Sequence, residues 1–135
     1  MSKSAADPTS RILLTDTFPE IKFKLRSAVT DSLSGITYDP LNRPGTSNLL
    51  NILAACTGED VLAVASRYSD KGHGALKGDV GEAIEEMLRG PRTEFERIRD
   101  NKEYLSSIAK EGAEKARAIS RETLSQVRRL VGLSS

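Results

Sequence analysis

Beyond residue 46, apolar residues recur at helical spacing almost to the end of the chain, and the pattern breaks only where glycine or proline stands. A period near 3.6 sustained over such a length commits a chain to helices, each with a stripe that must find another face to bury against. Leu49, Leu50, Ile52 and Leu53 supply the first stripe, with Gly58 where a helix would stop. Asp60 opens a further helix carrying Val61, Leu62, Val64, Ala65 and Tyr68, which Gly72 and Gly74 break. Leu76, Val80, Ala83, Ile84, Met87 and Leu88 form the next face, and Gly90-Pro91 ends or kinks it, with Phe95 and Ile98 continuing beyond. The longest pattern fills residues 103–131, through Leu105, Ile108, Ala109, Gly112, Ala116, Ile119, Thr123, Val127, Leu130 and Val131, and Gly132 is its stop.

The front of the chain reads differently. Thr17, an early Pro19 and Glu20 form a helix start, with the Glu three residues after the cap. Ile21, Leu25, Ala28 and Val29 then share one face. Residues 32–47 hold Gly35, Asp39-Pro40, Asn42 and Pro44-Gly45, all turn chemistry, and Pro44-Gly45 suits a type II turn. Thr46 or Ser47 would cap the helix that follows. Arg11-Ile12-Leu13-Leu14-Thr15 fits a buried strand or a helical turn, and Ile36-Thr37-Tyr38 fits a short strand beside it. The fold expected is mainly α, a helical bundle with a loop-rich N-terminal segment and at most two short strands.

The chain's 135 residues suit one domain able to bury a core, and 38% hydrophobic against 29% charged content is that of a folded chain. A net charge of +1 provides no overall basic field, so a nucleic-acid site has to be a local patch. One cysteine, Cys56, rules out an internal disulfide, and one histidine beside it rules out a thiolate–imidazole structural zinc site. Residues 1–20 lack the apolar core of a signal peptide, and no apolar run reaches the roughly 20 residues of a membrane span. The sequence is therefore read as that of a soluble, non-secreted protein with no membrane partner and no metal site of its own.

An ordered series of local motifs carries a resemblance. Met1-Ser2-Lys3-Ser4 matches the KMSKS signature of class I aminoacyl-tRNA synthetases, lacking its first Lys. It is followed by Asp7-Pro8, Arg11-Ile12-Leu13-Leu14-Thr15-Asp16, Thr30-Asp31-Ser32, Tyr38-Asp39-Pro40, Arg43-Pro44-Gly45 and Ser47-Asn48-Leu49-Leu50. Lys71-Gly72-His73-Gly74 and Gly112-Ala113-Glu114-Lys115-Ala116-Arg117 come later. Over essentially its whole length the chain resembles the tryptophanyl-tRNA synthetases of bacteria and organelles. The resemblance implies a C-terminal part of such an enzyme, beginning at the KMSKS loop. Residues 1–16 would be that loop and the end of the catalytic domain, and residues 17–135 the helical anticodon-binding domain. The family's Rossmann domain lies N-terminal to the loop, and no βαβ alternation or Gly-rich phosphate turn appears here. A chain like this is expected to be inactive alone.

The resemblance also implies the activity: tryptophan is activated with ATP, as its Mg2+ complex, and transferred to tRNA-Trp. Met1, Ser2, Lys3 and Ser4 would meet the ATP, with Lys3 as the catalytic group offsetting charge on the departing pyrophosphate. No protein ligand in this chain would hold the metal. The family's homodimer forms through the catalytic domain, so this chain is expected to be a monomer. Bacterial cytoplasm and mitochondrial matrix both fit. The tyrosyl-tRNA synthetases share the motif logic, and a free-standing helical RNA- or protein-binding module is a reading from another class.

Read as residues alone, the remaining candidates divide. Residues 103–135 carry Lys110, Lys115, Arg117, Arg121, Arg128 and Arg129 against Glu103, Glu111, Glu114 and Glu122, which leaves +2. Arg117, Arg121 and Arg128 share a helix face, and with Lys110 they form a candidate tRNA-binding stripe able to meet phosphates and stack on bases. The alternative is a solvated face with pairs such as Glu111–Lys115. Asp16, Asp31 and Asp39 sit at turns or helix edges and are read as caps. Arg43 is read as pairing with Asp39, Cys56 as a small core residue, and His73 as a loop residue. Gly112 would allow a neighbouring helix to pack closely.

Overall fold

The computed structural model describes residues 7–133. A 3-10 turn, Pro8–Ser10, precedes five α-helices: α1 (Phe18–Ser27), α2 (Pro44–Thr57), α3 (Val61–Ser66), α4 (His73–Asp100) and α5 (Lys102–Leu130). No strand occurs among the described residues, so the mainly helical reading holds and neither short strand forms. The reason is local at residues 11–15. Asp16 turns back on this segment: its N–H donates to the Leu13 carbonyl at 3.1 Å, and its carboxylate accepts from the Leu13 N–H at 2.7 Å. Both ladder groups of Leu13 are thereby taken by a turn. Residues 36–38 form no strand; Ile36 is buried in the core at 1% exposure, and Tyr38 packs against it partly buried.

The chain separates into two compact units, residues 1–92 and 93–135. The first holds the whole buried core. Ile21 and Leu25 come from α1, Leu49, Leu50, Leu53 and Ala54 from α2, Val64 and Ala65 from α3, and Leu76, Val80 and Ile84 from α4, with Ile36 and Tyr68 between elements. The periodicity selects most of these but not Ala54 or Ile36, and it also selects Val29, Leu62 and Met87, which are 87%, 62% and 51% exposed. Leu50 is fully buried, and Leu50→Ala is expected to cost about 2–5 kcal/mol, measured by denaturant unfolding followed at 222 nm. Tyr68 is held as it leaves α3 by donating its hydroxyl to Asp79 at 2.6 Å, and burial above all pushes its pKa up to about 12.

Helix starts follow side-chain chemistry. Glu20 reaches back to accept from the Thr17 N–H at 2.7 Å, which anchors α1. Asp60 caps α3, accepting from the N–H groups of Leu62 and Ala63 at 2.9 and 3.1 Å. Asp60→Ala is expected to lower stability by about 1 kcal/mol in the same unfolding measurement. Gly58 ends α2 in the left-handed region at φ 73°, where its N–H reaches the Ala54 carbonyl at 2.8 Å.

One expectation is corrected and another is narrowed. Pro44-Gly45 is not a type II turn ahead of a Thr46 or Ser47 cap. Pro44 is the first residue of α2 and Arg43 its N-cap, a position where the missing proline N–H costs nothing. Thr46 and Ser47 are buried inside the helix. Gly45 lies against the Val29 carbonyl, where an added Cβ would sit 2.3 Å from that oxygen, so no side chain fits. Gly90-Pro91, expected to end or kink its helix, does not end it: α4 runs through Pro91 to Asp100 and carries Phe95 and Ile98. Pro91 and Met87 are both exposed, so water can hydrate the Met87 carbonyl that the proline leaves without a donor.

Candidate functional site

Met1, Ser2, Lys3 and Ser4, the residues expected to meet ATP, lie outside the described residues. The chain behind them is fastened by short-range bonds. Asp7 caps the 3-10 turn, accepting from the Thr9 N–H at 2.8 Å and its hydroxyl at 2.7 Å, and these bonds hold its carboxyl below its ordinary pKa. Asp16 pairs with Lys24 of α1 at 2.5 Å. Arg92 of α4 donates from Nε to the Leu14 carbonyl at 3.1 Å and from Nη1 to Glu85 at 3.0 Å. Residues 7–16 are thus tied to two helices of the first unit. A cleft of roughly 100 Å³, lined by Thr9, Ile12, Leu25 and Leu49 among others, lies beside them. It is smaller than the 300–1,000 Å³ typical of ligand pockets.

A second cluster joins three separate stretches. Arg43 donates from Nε and Nη2 to the two Asp31 oxygens at 3.0 and 2.7 Å. Nη1 donates to Thr37 Oγ1 and Nη2 also to the Gly35 carbonyl, both at 2.9 Å. Thr46 donates its hydroxyl to Asp31 at 2.6 Å, and His73 Nε2 lies 3.0 Å from the same hydroxyl oxygen. The Arg43 hydrogen bonds first, then that of Thr46, hold the Asp31 carboxyl far below the usual carboxylate range. Arg43 is correspondingly raised by Asp31. Each charged group is occupied by another, so the cluster clamps residues 31–37 to α2 and the start of α4.

Three assignments change here. Arg43 pairs with Asp31 and not with Asp39, because Asp39 spends its carboxylate on the N–H groups of Leu41 and Asn42 and on the Asn42 side chain. Asp31 accepts from the Leu33 N–H at 3.0 Å as a turn aspartate does, but its main partner is the guanidinium. His73 is the first residue of α4 and touches Thr46, so it is not a free loop residue.

In the second unit, α5 places the four candidate RNA contacts together. At 100° per residue, Lys110, Arg117, Arg121 and Arg128 fall within about 40° of one another and extend over about 27 Å. All four are exposed, and among the described residues none has an acidic partner. The Glu111–Lys115 pair forms at 2.6 Å, off this face. Four unpaired cations in a row with this reach suit a phosphate backbone better than a self-neutralised surface. A Cβ on Gly112 would meet nothing within 4 Å, so the close packing expected there is not found among the described residues.

Residues 1–89 match the model of the family described as tRNA synthetases class I (W and Y). The chain belongs to that family. Among curated relatives of this synthetase family, "Tryptophan--tRNA ligase 2" of Streptomyces avermitilis is 42% identical over 132 residues, which is 98% of this chain and 39% of the relative. "Tryptophan--tRNA ligase, mitochondrial" of Saccharomyces cerevisiae is 40% identical over 136 residues, 98% of this chain and 35% of the relative. Tryptophanyl-tRNA synthetase from Mycoplasma pneumoniae superposes with a TM-score of 0.76 at 28% identity, over 100% of this chain and 41% of that one. The chain therefore spans about two-fifths of the length of the relatives it matches. Among the described residues no helix is long and apolar enough to cross a membrane.

Proposed function

We propose that these 135 residues are the part of a tryptophan–tRNA ligase that carries its KMSKS-type ATP loop and its anticodon-binding helices. The observation behind this is that relatives covering 98% of the chain, from bacteria and from mitochondria, bear that name. The family model covers tryptophanyl and tyrosyl enzymes alike, and the names of these relatives favour the tryptophanyl reading. In the complete reaction a tryptophan carboxylate oxygen attacks the α-phosphorus of ATP, the bond to the bridging oxygen breaks, and pyrophosphate leaves. The Lys3 ammonium, on the loop formed with Met1, Ser2 and Ser4, offsets the charge that grows on that leaving group. Residues 1–16 serve this step, and residues 17–135 bind tRNA-Trp.

The metal in this reading arrives with ATP. Its ligands in this reading are the phosphates of ATP and water, the usual setting of Mg2+ at nucleotide sites. For tRNA the contact is the α5 stripe of Lys110, Arg117, Arg121 and Arg128. The protein works in bacterial cytoplasm or the mitochondrial matrix. Homodimerisation of the complete enzyme belongs to its catalytic domain.

Two measurements test the ATP half. The 135-residue chain is expected to show no tryptophan-dependent ATP–pyrophosphate exchange, and exchange above background would overturn the assignment. A chimera in which this chain replaces the corresponding segment of the Streptomyces avermitilis relative is expected to exchange. Lys3→Ala in that chimera should lower kcat by about 10²–10³, the usual scale for one transition-state donor, while tRNA affinity stays unchanged. An unaltered kcat removes Lys3 from the mechanism.

A further inference from the structure

Arg92 of α4 reaches across to the chain that follows the ATP loop. Its side chain is 12% exposed, and that of its partner Glu85 is 14% exposed. Nη1 alone serves both carboxylate oxygens, at 3.1 and 3.0 Å. Nε is thereby free to donate to the Leu14 carbonyl at 3.1 Å, while Nη2 is buried without a partner among the described residues. A guanidinium whose one task was to neutralise Glu85 would present two nitrogens to the two oxygens, as Arg43 does to Asp31. Arg92 forgoes that fit and leaves a buried donor unsatisfied, which is unfavourable. What it keeps is the bond to Leu14.

The Leu14 carbonyl belongs to a closed turn. The Asp16 N–H donates to the Leu13 carbonyl, and the Leu13 N–H donates to the Asp16 carboxylate. Lys24 ties that carboxylate to α1, and Arg92 ties the same turn to α4. Upstream, Ile12 packs against the core and the 3-10 turn lies against α1. Lys3 stands four residues before Asp7, so chain length keeps its Cα within about 14 Å of that anchored stretch. The place of residues 7–16 therefore sets the ground from which Lys3 can reach.

We infer that Arg92 is a positioning residue for the ATP step: by holding the Leu14 carbonyl to α4, it fixes the stretch from which the Lys3 loop extends. The inference rests on the reading of residues 1–4 as that loop. Arg92 acts through Lys3, so its loss can lower the rate by no more than the loss of Lys3 itself.

Arg92→Met combined with Glu85→Gln removes the pair, keeps both aliphatic stems and strands no buried charge. In the 135-residue chain, the amides of Leu13 and Asp16 are expected to exchange with solvent deuterium about tenfold faster in this double variant, the scale of one hydrogen bond from a charged donor. Unchanged protection at both amides would overturn the proposal. In the chimera with the Streptomyces avermitilis relative, the double variant should lower kcat for ATP–pyrophosphate exchange by about 10- to 10²-fold, the scale of a displacement near 1 Å. In a Lys3→Ala background the same double variant should change kcat by less than about twofold, since the group it positions is gone. Equal losses in the two backgrounds would mean that the pair merely supports the fold, and would overturn the proposal. A full Lys3→Ala effect with none from the double variant would overturn it and leave the loop reading intact. An unaltered kcat in Lys3→Ala alone would remove the loop reading, and this inference with it.

Discussion

Arg43→Ala is expected to lower Tm by about 10 °C or more, because it strips a partner from a buried ion pair. Arg43 is 4% exposed and holds Asp31, Thr37 and the Gly35 carbonyl at once. Without it, the segment that delivers Ile36 to the core loses its tie to α2. Arg43→Lys should fall between, since an ammonium keeps the charge but loses the two-pronged fit to the carboxylate. Differential scanning calorimetry of the three proteins gives the order.

The same variant carries a pH signature. The Asp31 carboxyl is depressed by Arg43 first and Thr46 second. A depressed folded-state value means that Asp31 stabilises the fold fully above the unfolded carboxylate pKa of about 4, and that this contribution is lost as pH falls below it. In Arg43→Ala the depression shrinks, so the acid limb of the stability profile should flatten. An acid limb as steep as that of the parent would show that the pair is not what Asp31 responds to.

The second large effect concerns RNA. Replacing Arg117, Arg121 and Arg128 together by alanine is expected to weaken binding of tRNA-Trp on the order of 10²-fold at moderate salt. The slope of log affinity against log salt should fall by about 2–3, roughly one unit for each phosphate contact removed. The three side chains are exposed, so the fold should not change. Lys115→Ala is the control: Lys115 is occupied by Glu111 and lies off the stripe, and its loss should alter affinity little.

What the sequence revealed, and what it did not, divides by the range of the interactions. Thr17 with Glu20, Asp60 and Gly58 were legible because caps and stops act over three or four residues. The core was legible because period selects one face, and Ile21, Leu50 and Val80 are buried as that face requires. Pro44-Gly45 was misread because the dipeptide suits either a turn or a helix start. The choice is made by the Val29 carbonyl, a tertiary neighbour that no local pattern announces. Arg43 was matched to Asp39 by nearness in sequence, whereas its partner stands twelve residues away. His73 looked like a loop residue between two glycines, and its contact with Thr46 spans 27 residues. The α5 stripe needs only helical spacing, which alone puts Lys110, Arg117, Arg121 and Arg128 on one face. Lys3 was reached through a motif, and it lies outside the described residues.

Recognition of tRNA-Trp by these helices follows from the proposed function. Its most direct test is a titration of the 135-residue chain with tRNA-Trp and with an unrelated tRNA, each at a low and a moderate salt concentration. Tighter binding of tRNA-Trp is expected at both salts, with a steep salt dependence shared by the two RNAs. Equal affinity for both, or a salt dependence near zero, would contradict it.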